Sequence, residues 1–140
     1  MPLNHCPFTA YDGVHRPTLQ IRIINPHTGM SQRAYGLIDT GADECAVPAF
    51  YATLLGHDLK AGIPKTIYTG NGETVAFAHT TKFEIFNPFT GKVAYTVPDT
   101  PIDFLENLNV ILLGVNSFLS KFILRIDYPR KLFWIKYPKH

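Results

Sequence analysis

The chain has 140 residues, 46% of them hydrophobic and 17% charged, with a formal net charge of +2. This balance is typical of a folded domain, excludes the disordered class, and is too weakly basic to favour binding to nucleic acid. No apolar run approaches the ~18–20 residues that cross a bilayer, and the first ten residues lack the pattern of a signal peptide. We therefore expect one cytoplasmic domain over residues 1–140, in which residues 1–16 could form an N-terminal arm.

The first third of the chain shows the alternation of a half-buried sheet. Residues 17–25 place Leu19, Ile21 and Ile23 on one face and polar side chains on the other, which predicts a strand. A turn follows, and residues 32–38 predict the returning strand. Farther on, a proline at a first helical turn and a glycine past the last one predict a short helix over residues 48–55. The first ten residues look irregular.

The rest of the chain consists of short apolar segments separated by turn residues. Strand-like arms at 65–68 and 73–78 flank Thr69-Gly70-Asn71-Gly72, a hairpin signal of the Asn-Gly kind. The second arm continues through Phe83 and Ile85, and another hairpin leads into a strand at 92–97. Residues 98–107, with two prolines and three acids, are expected to form a loop. An apolar strand at 109–113, a short helix at 116–122 and a closing hairpin of residues 123–127 and 132–137 follow.

Many short strands with only two brief helices predict an all-β fold, in the form of a small closed or nearly closed barrel. The two cysteines allow at most one disulfide, and Cys45 lies in an apolar segment. We expect Cys45 to be a free thiol that packs as a small hydrophobic side chain.

The stretch that suggests chemistry is Asp39-Thr40-Gly41, directly after the second predicted strand. Leu37 and Asp39 share a face by the two-residue period of a strand. Gly41 permits a tight turn and a close approach of another backbone, and the Thr40 hydroxyl can hold the loop by hydrogen bonds. An ordinary Asx-type turn at a strand end has the same composition, so the tripeptide alone leaves both interpretations open.

The order of these features resembles the retropepsin-like aspartic proteases, a family of retroviral proteases with cellular and bacterial relatives. The resemblance covers roughly residues 17–137 and depends most on the loop at 39–43 and on the apolar strand that ends at Gly114. Phe118-Leu119 and the segment at 126–129 are more similar to the cellular and bacterial members. The resemblance implies a barrel of the retropepsin type with one or two short helices.

The resemblance also implies an aspartic endopeptidase that works as a homodimer. Two-lobed pepsins carry two Asp-Thr/Ser-Gly loops, whereas this chain carries one. The Asp39 carboxylates of two copies would therefore meet at a two-fold axis, share a proton and activate water. Thr40 would bond across that axis, and the Gly41 carbonyl would face the substrate. The partners implied are a second copy, bound through these loops and the chain termini, and a peptide or protein substrate.

Further residues are expected to bind the substrate. Ala42 and Asp43 follow the catalytic loop, Leu37 and Leu112 are pocket candidates, and the predicted hairpin tip would form a flap over the peptide from Tyr68, Thr69, Gly70, Asn71 and Gly72. For Leu112 plain core packing stays an alternative, as does an ordinary surface hairpin for the flap. Leu113 and Ile111 are assigned to the core.

Asp43 lacks its expected partner. Retroviral members have Arg after the glycine of the second motif, where this chain has Val115 and then Asn116. Asp43 could then contact substrate or act as a structural cap, since Asp readily bonds nearby backbone. Near the C-terminus, Trp134 could lie in a dimer interface or in the core.

No metal or cofactor is expected. The six histidines lack His-x-x-x-His spacing, and the acids at 99, 103 and 106 do not have EF-hand spacing. The alternative to an endopeptidase is a catalytically silent module that uses the same fold for peptide binding or dimerisation, because a fold does not by itself establish chemistry.

Overall fold

The computed structural model describes residues 2–11, 13–69 and 72–138. Within them the secondary structure is almost entirely β, and the predicted all-β class is confirmed. Helical structure is limited to α1 (Phe50–Leu54) and two 3₁₀ turns, Leu59–Ala61 and Leu119–Lys121. The strands are β1 (Leu3–Pro7), β2 (Thr9–Tyr11), β3 (Val14–Arg16), β4 (Thr18–Ile24), β5 (Ser31–Ile38), β6 (Cys45–Pro48), β7 (Ile63–Thr69), β8 (Gly72–Phe86), β9 (Val93–Leu105), β10 (Ile111–Leu113), β11 (Ile123–Asp127) and β12 (Leu132–Lys136).

Seven strands form a sheet that closes on itself. Their order is β4-β5-β10-β6-β9-β8-β7, and an additional pairing of β4 with β8 closes the first six of these strands into a ring. β7 lies outside the ring as a neighbour of β8 alone. β8 is 15 residues long and pairs with β4, β7 and β9 along its length. The predicted small closed barrel is therefore confirmed.

The core fills the inside of this ring. Leu19, Ile21 and Ile23 are buried as the alternation along β4 predicts, and the largest buried side chains around them are phenylalanines. Burying one such side chain stabilises the fold by ~1.5–3 kcal/mol relative to leaving it exposed. Cys6 and Cys45 lie in the same core as free thiols, and burial raises their pKa to about 11 and about 12. Both thiols stay protonated near neutral pH, which confirms the prediction for Cys45.

The loop predicted over residues 98–107 is wrong, because β9 runs through Leu105. The prolines are accommodated by an irregularity: Asp99 has φ +49°, and the β8–β9 register shifts between Thr81 and Phe83. Such a bulge is where proline is tolerated in a sheet. Beyond it, residues 102–105 pair with β6 on one side and β8 on the other, so this stretch is a central strand.

The predicted helices are shorter than expected. The helix expected over residues 48–55 is five residues long, since Pro48 ends β6. The helix expected over residues 116–122 is a single 3₁₀ turn, because Ser117 adopts φ +65°, a left-handed conformation that an α-helix cannot include. No helix in the described ranges is both long and apolar enough to cross a membrane.

Three strands form a second sheet in the order β1-β12-β11. Its closing hairpin, β11–β12, confirms the prediction for the C-terminal region. The irregular conformation expected for the first ten residues is wrong, because Leu3 and Cys6 are buried in the core and β1 pairs with β12. Trp134 is only half-buried on this sheet. The Arg125 guanidinium lies 4.4 Å from its ring, and the His5 ring meets it edge-on at 5.1 Å.

Candidate active site

The parallel pair β5–β10 holds Asp39 in position. Leu37 pairs with Leu112, and the next residues along, Ile38 and Leu113, pair in the same register. Directly beyond β5, the Asp39 N–H donates to the Leu113 carbonyl at 3.1 Å. Parallel strands place equivalent ends at one edge of a sheet, so the end of β10 fixes the backbone at the point where β5 gives way to the loop.

The Asp39 loop is a tight turn closed by its own groups. The Ala42 N–H donates to the Asp39 carbonyl at 3.2 Å, and the Gly41 N–H donates to Asp39 Oδ1 at 3.0 Å. This is the Asx-type geometry that the composition allowed. Thr40 and Gly41 are exposed and Asp39 is half-buried. The carboxylate is thus oriented by one backbone N–H, while the loop around it is accessible.

The segment after β10 packs its backbone directly onto this loop. The Val115 N–H donates to the Ala42 carbonyl at 2.9 Å, and the Asn116 N–H donates to the Asp43 carbonyl at 2.7 Å. A Cβ on Gly114 would lie 2.3 Å from the Glu44 carbonyl oxygen. Only glycine permits such an approach of two backbones. The two sequence motifs therefore form one hydrogen-bonded unit.

Leu37 and Leu112 lie beside each other on one face of the sheet. Both are half-buried, whereas Ile38, Ile111 and Leu113 are buried. The core assignment of Ile111 and Leu113 is confirmed. By the two-residue period, Leu37 shares its face with Asp39. The two leucines therefore lie on the side of the sheet where a substrate of Asp39 would lie, and their role as pocket residues stays a prediction.

Asp43 is exposed, and its side chain makes no hydrogen bond or ion pair with the residues that the structure describes. The side chain of Asn116 donates from Nδ2 to Glu44 Oε1 at 3.2 Å. Asn116 thus contacts Glu44 through its side chain and the Asp43 carbonyl through its backbone N–H. Substrate contact by Asp43 stays a prediction.

The predicted flap is the β7–β8 hairpin. Its arms pair through Ile67–Thr74, Tyr68–Glu73 and Thr69–Gly72, which confirms the hairpin. Gly72 adopts φ +105°, a conformation suited to glycine. Gly70 and Asn71, at the tip, lie outside the described residues.

Ile67 is the hairpin residue that faces the sheet below, and the sequence did not single it out. It packs against a small buried cluster of Ala46, Ala76 and Leu105, against which Leu108 and Leu112 also pack. Tyr68, the residue chosen from sequence, is 77% exposed and lies on the opposite face by the two-residue period. The alternation along residues 63–69 is the signal that distinguishes the two faces once the register with β8 is known.

Two histidine rings pack at the base of this hairpin. His79, on β8, donates from Nε2 to the Leu59 carbonyl at 2.9 Å, which anchors the 3₁₀ turn before β7. The His57 ring lies 4.6 Å from the His79 ring and 5.6 Å from that of Phe104. Its Nε2 is buried without a hydrogen-bond partner in the described chain. Burial, followed by the nearby His79 and His27, lowers the pKa of His57 from its ordinary value of 6.5.

His57 should make the protein less stable in acid. Because its pKa is lower in the folded state, the unfolded chain binds the proton first, and stability falls as the pH drops below about 6.5. His57→Phe keeps a ring against Phe104 and removes the titration. Its melting temperature should fall less than that of the wild type between about pH 7.5 and about pH 5, with the exposed His15→Phe as control. Equal falls in all three proteins would contradict this role.

Neither a family model nor a curated protein sequence matches the chain. A closed sheet whose parallel strand pair carries an Asp-Thr-Gly loop nevertheless has the fold of the retropepsin-like aspartic proteases. The structure is similar to a retropepsin-like aspartic protease from Rickettsia conorii, with a TM-score of 0.66, 23% identity, and coverage of 98% of this chain and 92% of that one. It is also similar to EIAV protease in complex with the inhibitor HBY-793, with a TM-score of 0.52, 18% identity, and coverage of 80% and 93% respectively. These likenesses confirm the predicted fold.

Proposed function

We propose that this protein is an aspartic endopeptidase whose active form is a homodimer. The observation that carries the proposal is the Asp39 loop: a carboxylate oriented by the Gly41 N–H at 3.0 Å, fixed through Leu113, and placed in an accessible turn. One such loop per chain supplies one carboxylate, and hydrolysis by an acid–base pair needs two. The two solved structures of similar fold described above are proteases, which supports the same class of reaction.

In the proposed dimer, two Asp39 side chains lie close to the two-fold axis and hold one proton between them, because like charges at short range do not both ionise. The ionised carboxylate takes a proton from water as the water oxygen attacks the scissile carbonyl carbon. The protonated carboxyl gives its proton to the carbonyl oxygen. The tetrahedral intermediate then breaks its C–N bond: the carboxyl that took the water proton gives it to the nitrogen, and the other carboxylate takes a proton back from a hydroxyl of the intermediate, leaving a carboxylic acid and an amine.

The substrate of this reaction is an extended peptide between the β7–β8 hairpin and the face that carries Leu37 and Leu112. Strand-like binding uses backbone hydrogen bonds, with side chains alternating between pockets. Thr40 stiffens the paired loops, while Gly41, Ala42 and Asp43 meet the peptide main chain. Ile67 closes over the peptide from above. Apolar side chains beside the cut suit the leucines and Ile67.

The second dimer contact involves the sheet β1-β12-β11. Both of its outer strands have an unpaired edge within the described chain, and such an edge readily pairs with another chain. A groove along this sheet is lined by Asn4, Ile123, Arg125, Trp134, Ile135 and Lys136. A second copy seated there would cover the half-buried Trp134 and the exposed Ile123.

The test is incubation with a diverse peptide mixture at about pH 4 to 7, where a carboxylate pair can share a proton, followed by mass analysis of new termini. Sedimentation over a range of concentrations gives the oligomeric state of the same samples. We expect cuts between apolar residues, only at concentrations where dimer forms, and inhibition by a statine-type transition-state mimic. Dimers that bind peptide without cutting it would instead establish the silent module. Cleavage by a strictly monomeric protein would contradict the shared site.

A further inference from the structure

Asp103 is a buried carboxylate on the same face of the sheet as the proposed cleft. It pairs with Ala46 of β6, which pairs with Leu112, which pairs with Leu37. Side chains in one such cross-strand row share a face. Asp103 therefore lies on the side of Leu37 and away from the barrel interior. It is only 5% exposed, and a carboxylate is rarely buried so fully without a partner.

The partner is Lys65, which belongs to the hairpin. Its Nζ lies 2.9 Å from Asp103 Oδ2, and its side chain is 42% exposed. Lys65 pairs with Ala76 of β8, while Asp103 pairs with Ala78 of the same strand. The lysine thus reaches over β8 to β9, and the two alanines leave room for it to do so. Lys65 and Ile67 point to the same face.

This ion pair links β7 to β9, two strands that are not hydrogen-bonded neighbours in the sheet. In the described chain β7 hydrogen-bonds only to β8, so backbone bonds do not tie it to the barrel's other strands. Among the described residues, the Ile67 side chain packs against the apolar cluster beneath it, and Lys65 forms an ion pair with Asp103 of β9. When β7 lifts, the lysine leaves and the carboxylate must be solvated again. Separating a buried charge from its partner is costly unless water replaces it.

We propose that Lys65 and Asp103 form a latch that holds the β7–β8 hairpin down over the cleft. They are positioning residues that set how often the hairpin opens to admit a peptide and release products. Closure of this kind holds the substrate in place in enzymes that cover their active sites. The kinetic consequence rests on the proposed function, whereas the effect on hairpin opening does not.

Hydrogen exchange followed by mass spectrometry tests the latch in the full-length chain. Lys65→Met removes the charge and keeps most of the length, and we expect amides of β7 and the facing part of β8 to exchange roughly tenfold faster. Amides of β4 and β5 should be unchanged. The single variant Lys65→Arg should exchange as slowly as the wild type, because it keeps the positive charge beside Asp103. Asp103→Asn should match Lys65→Met, and the double variant should be no faster than either single one.

The matched control is the other cross-strand pair, in which Arg22 Nη1 lies 3.1 Å from Glu84 Oε1 and joins β4 to β8 away from the hairpin. Arg22→Met should leave hairpin exchange as in the wild type. With a cleaved peptide, Lys65→Met should raise KM several-fold and change kcat little, since the closed state binds substrate and the carboxylates are untouched. Unchanged hairpin exchange in Lys65→Met, or equal acceleration across the whole chain, would overturn the latch. A wild type that cuts no peptide would refute the proposed function and leave the exchange result to decide the latch.

Discussion

Replacing Asp39 with Asn is expected to reduce peptide cleavage by at least ~10³-fold, because the substitution removes both the proton acceptor and the proton donor of the symmetric pair. The fold should survive. An Asn Oδ1 can still accept the Gly41 N–H that now meets Asp39 Oδ1 at 3.0 Å, so the turn keeps its hydrogen bond. The measurement is the initial rate of cleavage of one mapped peptide, with melting curves and sedimentation of the same preparation.

The matched control is Asp58→Asn, the same chemical change at an exposed carboxylate just before the first 3₁₀ turn. It should cleave at the wild-type rate. The Asp39 variant should still bind the peptide substrate and still form dimers, which separates loss of chemistry from loss of structure. Wild-type turnover by Asp39→Asn would assign the activity to another group or to a contaminant, and the proposed mechanism would be wrong.

Gly114→Ala is expected to be the most destabilising of the single-methyl additions at the site. The new Cβ would lie 2.3 Å from the Glu44 carbonyl oxygen and 2.9 Å from that of Ala42. Both atoms are backbone, so no side chain can rotate away, and the Asp39 loop must move. We expect a loss of about 3 kcal/mol or more in the free energy of unfolding, or roughly 10 °C in melting temperature.

The control for this change is Gly91→Ala in the β8–β9 turn. Gly91 has φ +72°, but a Cβ there has no atom within 4 Å. Its cost is conformational, about 1 kcal/mol. Chemical denaturation of both variants gives the two free energies directly. If Gly114→Ala proves no worse than Gly91→Ala, the backbone of the loop is looser than the hydrogen bonds of Val115 and Asn116 indicate.

The sequence predicted the barrel where local pattern and tertiary structure agree. Alternation predicted β4, the turn after it predicted the returning strand β5, and the apolar run before Gly114 predicted β10. It failed where a distant strand overrides a local signal. Pro98 and Pro101 indicate a loop, yet Pro101 pairs with β8, and residues 102–105 directly after it lie between β6 and β8, partners that only the closed sheet supplies.

The candidate site divides in the same way. Asp39, Thr40 and Gly41 are contiguous, and their motif is visible in the printed sequence. Lys65 and Asp103 are separated along the chain and meet only through the register of three strands, so no local pattern links them. Ile67 and Tyr68 are adjacent, and choosing the inward one requires knowing which face of the hairpin meets the barrel.

The pairing of β1 with β12 has a consequence for synthesis of the chain on the ribosome. Leu3 pairs with Ile135, so β1 finds its partner strand only after almost all the described residues that follow it have been made. Until then the apolar side chains of Leu3 and Cys6 lack the surface that buries them. The barrel can assemble earlier from strands closer together in sequence, so we expect the small sheet to form after it.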